Sequence, residues 1–297
     1  MGGGDGNGWV MCDLGHDHWG LNGAAGLLIH HRDAEGTSHV LLQRRSRWSH
    51  QGGTWGVPGG ARDSHEDSIA AALREAEEEV FCDLDALRVQ GIYSDDHGGW
   101  CYDTVICAAD SRIEARPGNW ETDAIRWFTL AEVGRLRLHP GFLATWDMTR
   151  TALDRLVLIV DAANVIGSRP DGWWHDRAGA VRRLRDRLAP LPTAGIADAA
   201  LPGEADRPGL GRWYPEVRLV VEGEARAVEP VPGVTVIAAT GSGDDAVVAA
   251  AMDRRAGDIP LVVTADRELR RRCEAVGATV TGPSWLLGLL DARDGMP

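Results

Sequence analysis

The chain has 297 residues, 44% hydrophobic and 25% charged, a globular composition long enough for about two domains. Its 31 basic residues are all Arg and face 44 acids; the formal charge of −13 argues against bulk electrostatic attraction to nucleic acid. No apolar run approaches the ~20 residues of a membrane span. The chain opens without a basic-then-apolar leader, and its five scattered cysteines suit free thiols, so a cytoplasmic protein with no membrane partner is expected.

Residues 1–19 are Gly-rich and read as a flexible start. Within them Cys12, His16 and His18 place three soft donors in seven residues, but with no fourth donor evident they fall short of a structural zinc site. "GAAGLLIHH" and "HVLLQRR" read as strands, and "TWGVPGGARDSHED" as a loop by its Gly and Pro content. A helix follows, with Ile69, Leu73, Ala76 and Val80 at the spacing of a buried stripe. "LRVQGIYS", "CYDTVICAA" and "AIRWFTL" read as further strands, and "LHPGFLATWDMTRTALDRL" as a closing helix running into a boundary near residue 152. Trp19, Trp55, Trp100 and Trp120 are read first as core and second as surfaces on which a base would stack.

The second half changes rhythm. "RLVLIVDAAN" is a nearly unbroken apolar run, as in a strand buried on both faces of a parallel sheet. Helical "DRAGAVRRLRDRLAP" leads to a Pro/Gly-rich stretch at about 189–213, read as a functional flap or a disordered loop. Strands "VRLVVEG", "VTVIAA" and "PLVVTAD" then alternate with helices "DDAVVAAAMDRRA", "RELRRRCEAVGA" and "PSWLLGLLDA", which implies a doubly wound α/β unit. Two domains are expected, 1–152 and 153–297.

Chemistry enters with "GGARDSHEDSIAAALREAEEEV". At about 100° per residue, Glu75, Glu78 and Glu79 fall together on a face predicted to lie opposite the apolar stripe, where like charges repel unless a cation joins them. Hard divalent cations such as Mg²⁺ take oxygen ligands and bring phosphates with them. The register Gly60, Glu66, Arg74-Glu75, Glu78-Glu79 resembles the Nudix box, Gly-x5-Glu-x7-Arg-Glu-U-x-Glu-Glu-x-Gly-U with U aliphatic, and the strand pattern extends the resemblance over about residues 20–150. One position departs: Phe81 stands where the family has a glycine that helps end the helix.

The resemblance implies an α/β/α sandwich with a mixed sheet, and Mg²⁺-dependent hydrolysis (Mn²⁺ as an alternative) of a nucleoside diphosphate linked to another group. The best expectation is a (d)NTP or modified (d)NTP cut to NMP and pyrophosphate. It implies that Glu75, Glu78, Glu79 and the Gly59 carbonyl hold metal, that Glu66 supports the site, and that Arg74 orients a glutamate. It also implies that a Gly59-Gly60 turn and Arg74 meet the phosphates, and that the protein forms a homodimer. Glu121, six residues before Trp127, occupies the place of a further base or ligand in some members; Glu78 or Glu79 is the alternative base.

In the second half, Asp161, Asp244, Asp245 and Asp266 fall at strand ends or a helix start, where acids converge on one or two Mg²⁺ ions for phosphodiester cleavage or simply cap helices. "DAAN" (Asp161, Asn164), "GDDAVV" (chiefly Asp245 as the middle acid) and "TADRELRRRCEAVGATV" (Thr264, Asp266, Glu268) resemble the motifs of the NYN branch of the PIN-like nucleases. That likeness implies a Rossmann-like domain with a mainly parallel sheet that cuts RNA, with Asn164 positioning an acid or phosphate. Arg182, Arg183, Arg185 and Arg187 are read as a solvated helix face before a backbone-tracking one. The alternative is a sensor or RNA-binding regulator in which one half, or neither, is catalytic.

Overall fold

The structure, a computed structural model, describes residues 4–49, 51–170, 172–203 and 207–295. It divides into two units, Met1–Leu153 with Arg207–Arg212, and Asp154–Asp206 with Trp213–Pro297.

The first unit is built on strands β1 (Ala24–Arg32), β2 (Ser38–Arg45), β3 (Gly59–Ala61), β4 (Leu87–Asp96), β5 (Cys101–Ala109) and β6 (Thr122–Thr129). The sheet order is β6-β2-β1-β5-β4, with β3 pairing along the start of β1. β1 runs parallel to β5 and the other pairs are antiparallel, so the sheet is mixed. Helix α1 (Ser68–Glu79) starts at Asp67, whose carboxylate accepts from Ala70 N–H at 2.8 Å. It packs on the sheet through Ala71, Ala72 and Ala76 against Ala25, Leu27, Ile29, Leu41, Val105 and Cys107, with Ile69 and Leu73 at the margin. Alanines on this face let the helix backbone approach the sheet closely.

The end of α1 explains Phe81. The helix stops at Glu79 without a left-handed residue, since Val80 is extended (φ −137°, ψ 120°) and Val80–Phe81 pairs with Arg116–Pro117. The last carbonyls find partners across the fold: Gly118 N–H donates to Glu79 O at 2.8 Å and Asn119 Nδ2 to Glu78 O at 3.0 Å. A tertiary cap replaces the expected glycine.

Two expectations need correction here. Within residues 4–19, Trp9–Met11 and Asp17–Trp19 form an antiparallel hairpin, and Asp5 accepts from Ser64, so this stretch has defined structure; residues 1–3 lie outside the described residues. The closing helix, α2 (Pro140–Thr149), ends before Arg155, which begins a strand. The returning segment of the first unit lies on β4: Gly211 N–H donates to Ile92 O at 2.8 Å, and a Cβ at Gly91 would fall 2.4 Å from Leu210.

The second unit is built on a five-stranded, all-parallel sheet: β7 (Arg155–Asp161), β8 (Glu216–Val221), β9 (Val234–Ala238), β10 (Asp258–Val263) and β11 (Thr279–Thr281), in the order β9-β8-β7-β10-β11. Helices α3 (Ala162–Gly167), α4 (Arg177–Leu188), α5 (Gly243–Met252), α6 (Arg267–Ala275) and α7 (Pro283–Asp294) connect or follow them. Val157, Ile159, Val220, Val262, Val247 and Leu269 share one core. Buried Arg155 forks onto Asp258 at 3.0 and 2.8 Å and also bonds Glu216, tying together three strands at their amino ends.

Over its described residues the Pro/Gly-rich stretch is packed down rather than a disordered loop. Its described residues include the short helix Leu191–Ala194 and buried Leu191, Ile196, Leu201 and Trp213, the indole of Trp213 donating to Asp198 at 2.8 Å. Buried apolar anchors every few residues hold it down; residues 204–206 lie outside the described residues. Among the described residues, no helix is long and apolar enough to cross a membrane.

Candidate active site

The glutamates of α1 do not present one solvent face. Glu79 lies within about 20° of Ala72 around the helix, and so turns toward the sheet. It is 4% exposed. Its carboxylate accepts from Gly59 N–H at 2.9 Å and from Gln43 Nε2 at 2.8 Å, while Gln43 Oε1 accepts from Thr122 Oγ1 at 2.7 Å. Burial pushes the Glu79 carboxyl up to about 7, against these hydrogen bonds, which favour the ionised form. Glu78 is 61% exposed, and Glu77 is exposed too.

Arg74 sits among the acids. Its Nε and Nη2 fork onto Glu66 at 2.7 and 2.9 Å, Nη1 reaches Glu75 at 2.7 Å, and Nη2 also donates to Ala61 O at 2.9 Å. Arg74 holds the Glu66 carboxyl below the usual range and is itself raised by Glu66. Glu75 is raised, because burial outweighs its bond to Arg74. Glu78 lies 3.6 Å from the same guanidinium.

The two glycines sit in strand β3 rather than in the expected turn. At Gly60 a Cβ would stand 2.5 Å from the Glu75 carboxylate, which would have to move from its place beside Arg74. A Cβ on Gly59 would meet Ala25 O at 2.5 Å and the hydroxyl of half-buried Tyr102 at 3.0 Å. Close packing of backbone, carboxylate and phenol leaves room only for hydrogen here. Glu121 enters on the segment that caps α1: its N–H donates to Asn119 Oδ1 at 2.8 Å, and its carbonyl accepts from Ser46 at 2.7 Å.

Sequence reasoning missed Gln43, Thr122 and Tyr102. A glutamine inside the apolar run of β2 was the available signal, since a polar side chain buried in a strand needs a partner. Of the four tryptophans, Trp100 is buried, Trp19 and Trp120 are 44% and 64% exposed, and Trp55 stands edge-on to Phe128.

In the second unit the acids gather where β7 and β10 end side by side, at the point where strand order reverses. Asp161 caps α3, accepting from Asn164 N–H at 3.2 Å, and accepts from buried Thr264 Oγ1 at 2.9 Å. Asn164 Oδ1 in turn accepts from Ala265 N–H at 2.7 Å, and Asp266 caps α6 through Leu269 N–H at 2.8 Å. Burial raises the Asp161 carboxyl, with repulsion from Asp244 and Glu222 adding to it; Asp244 is raised likewise by burial and by Asp266.

The expected middle acid, Asp245, is turned outward and bonds Arg272 at 2.5 Å, so Asp244 is the member near enough to repel Asp161 and Asp266. Glu268 is also outside the group, 70% exposed and 3.4 Å from Arg271. Glu222, which accepts from Gly243 N–H at 3.1 Å, joins the group; an acid directly after the buried strand β8 was its signal. Arg185 and Arg187 are committed to neighbours, Arg185 to Asp186 and Glu229 O, Arg187 to Asp291 and Asp294, while Arg182 and Arg183 are exposed.

A mixed-sheet α/β unit whose long helix sets an arginine-clamped group of carboxylates against a glycine strand defines a class of phosphoanhydride hydrolases. A model of the NUDIX domain matches residues 21–149. A Mycobacterium tuberculosis protein named "Putative 8-oxo-dGTP diphosphatase 3" is 46% identical over 155 residues, covering 50% of this chain and 71% of that protein. A Bifidobacterium longum "Nucleoside triphosphate pyrophosphatase/Nudix hydrolase fusion protein" is 38% identical over 155 residues, or 51% of this chain and 32% of that one. The crystal structure of RenU, a Nudix hydrolase from M. smegmatis, is 43% identical, covering 49% of this chain and 93% of its own, with a TM-score of 0.46. The chain belongs to the Nudix hydrolase family and is a nucleotide pyrophosphatase.

Proposed function

We propose that the first unit hydrolyses a nucleoside triphosphate to the monophosphate and pyrophosphate, with Mg²⁺ (or Mn²⁺) held by Glu75, Glu78, Glu79 and the Gly59 carbonyl. The name of the mycobacterial relative favours an oxidised purine dNTP within this class. The observation that carries the reading is the burial of Glu79 between two neutral donors: a carboxyl raised to about 7 in that position gains most from a divalent cation beside it. All the proposed side-chain donors are oxygens, which suits Mg²⁺ and Mn²⁺.

When bound, the metal supplies charge neutralisation of the phosphates and a lowered pKa for water. The chain's own residues do the positioning. Arg74 fixes Glu75 and Glu66, Gln43 and Gly59 aim Glu79, and the lack of side chains at Gly59-Gly60 lets β3 lie against Ala25 and the Glu75 carboxylate. Glu121 or Glu78 takes the proton of the attacking water. Pyrophosphate release from a panel of ordinary and oxidised (d)NTPs with Mg²⁺ tests this. Release from at least one member, abolished by Glu78→Gln and Glu79→Gln, is expected; no release from any member would favour a nucleotide sensor.

For the second unit we propose a NYN/PIN-like ribonuclease that uses Asp161, Asp244 and Asp266, with Asn164 locking the β10 end. The convergence of three acids at the switch point of a parallel sheet, two of them raised by burial and mutual repulsion, supports this reading. Mg²⁺-dependent cleavage of single-stranded RNA, lost in Asp161→Asn, is the expected result; cleavage that survives that substitution would remove the assignment.

A further inference from the structure

Three side chains at the start of the first unit and one from a distant turn have no part in the hydrolytic reading. The loop between strands Trp9–Met11 and Asp17–Trp19 folds back on itself: Cys12 N–H donates to His16 O at 3.0 Å and Gly15 N–H to Cys12 O at 2.9 Å, with Gly15 left-handed at φ +80°. Asp13 N–H donates to Gly98 O at 2.9 Å, which joins this loop to the turn between β4 and β5. As a result one donor atom from each of Cys12, His16, His18 and His97 lies within 4.8 Å of the others. The fourth donor missing from the sequence pattern arrives from 79 residues beyond His18.

The imidazoles are arranged as ligands are. His97 Nε2 is bonded to Asp95 Oδ2 at 3.1 Å, which leaves Nδ1 facing inward, the carboxylate–histidine arrangement that orients metal-bound histidines. His97 Nδ1 and His18 Nε2 are both buried and have no hydrogen-bond partner among the described residues. Such orphaned atoms cost about 1–3 kcal/mol each and call for an occupant. The His18 ring is fixed by stacking on Trp100 at 3.9 Å and 11°, and Trp100 Nε1 donates to Gly20 O at 3.0 Å. Cys12 is 4% exposed. One thiol and three imidazoles suit tetrahedral Zn²⁺ and not Mg²⁺. Ligand atoms around zinc stand roughly 3.3–3.8 Å apart, so the four need draw in by little more than ~1 Å.

We propose that Cys12, His16, His18 and His97 bind one structural Zn²⁺ that clasps the N-terminal hairpin to the β4–β5 turn. All four positions belong to the protein, so no place is left for substrate or water. The clasped turn carries Gly99 and Trp100, which line an open cleft of about 790 Å³ together with Asn22, Arg62 and Glu66. Zinc would therefore brace one wall of a cleft that reaches the Nudix-box residue Glu66. The site shares no residue with the proposed Mg²⁺ ligands.

The test is metal analysis of the full chain, purified without a histidine tag from zinc-supplemented culture and dialysed. About one zinc per chain is expected, falling to background in Cys12→Ser and in exposed His16→Ala, whose folding is checked by circular dichroism. Glu79→Gln should keep its zinc, which separates this site from the hydrolytic one. Asp95→Asn should weaken zinc binding about 10–100-fold. Cobalt loaded into the wild type should show the strong visible bands of tetrahedral coordination, with a thiolate charge-transfer band absent in Cys12→Ser. Zinc at background in the wild type, zinc retained by both ligand variants, or an octahedral cobalt spectrum would overturn the proposal.

Discussion

The two acidic groups of this chain solve one electrostatic problem differently. In the first unit the positive charge is built in: Arg74 forks onto Glu66 and reaches Glu75, and Glu79 is left buried on neutral donors. In the second unit Arg272 bonds Asp245 and acts on Asp244 through its charge alone, and Asp161 is held by a hydroxyl and a backbone amide. Yet both divide a pair of adjacent acids in the same way. Glu79 is buried while Glu78 stays at the exposed edge, 3.6 Å from Arg74, and Asp244 stays with the group while Asp245 is turned out onto Arg272, because one helical step rotates a side chain by about 100°. Neighbours in sequence are therefore poor proxies for neighbours in a site.

The largest effect should come from the buried member of each pair. Glu79→Gln keeps size and both accepted hydrogen bonds but removes the charge. The loss in kcat should exceed about a hundredfold, the upper end for residues that merely support a metal site. Glu77→Gln, on the exposed side, should stay within about twofold in the same steady-state assay. Equal effects of the two would undo the division. The same contrast has a pH signature in protein stripped of divalent ions. The Glu79 pKa is raised from 4.5 to about 7, so its contribution to stability is complete below about 4.5 and is lost as pH rises through 7. The loss is on the order of 3 kcal/mol. Urea melts across that window should be steeper in pH for the wild type than for Glu79→Gln.

Next in size is the second unit's pair. Asp244→Asn should impair RNA cleavage far more than Asp245→Asn, and neither should alter nucleotide hydrolysis. A larger loss from Asp245→Asn would restore the order expected from sequence. Smaller again is Arg74→Lys. An ammonium cannot fork onto Glu66 while holding Glu75, so about a tenfold fall in kcat is expected at nearly constant KM. An unchanged kcat would mean that Glu75 needs no orienting partner.

How much of this was legible follows from range. Strands β1, β2, β5 and β7 read directly from "GAAGLLIHH", "HVLLQRR", "CYDTVICAA" and "RLVLIVD", since apolar patterning is local. The box glutamates and Arg74 were legible from spacing. Their orientations were not, because Glu79 is turned inward by the contact of Ala72 and Ala76 with the sheet, and no window on the helix alone shows that contact. Gln43, Glu222 and His97 escaped notice for the same reason: each joins its group from a distant strand or turn.

The smallest prediction concerns the position that departs from the family pattern. Phe81→Gly restores the family residue, and were the glycine needed to end α1, the protein should gain stability. The structure argues the reverse. The terminal carbonyls are already met by Gly118 and Asn119, and residue 81 is an extended strand position paired with Arg116, where glycine costs about 0.5–1 kcal/mol. The Arg116 guanidinium also lies 4.9 Å from the Phe81 ring, a half-exposed contact worth roughly a further 0.5 kcal/mol. Phe81→Gly should therefore lose about 1 kcal/mol in denaturant melts and leave kcat unchanged. Gly118→Ala should cost more, because its Cβ would stand 2.9 Å from the Glu79 carbonyl carbon and push the capping segment, with Glu121, off the helix end. If Phe81→Gly proved the more harmful of the two, the helix would depend on its own local end rather than on the tertiary cap.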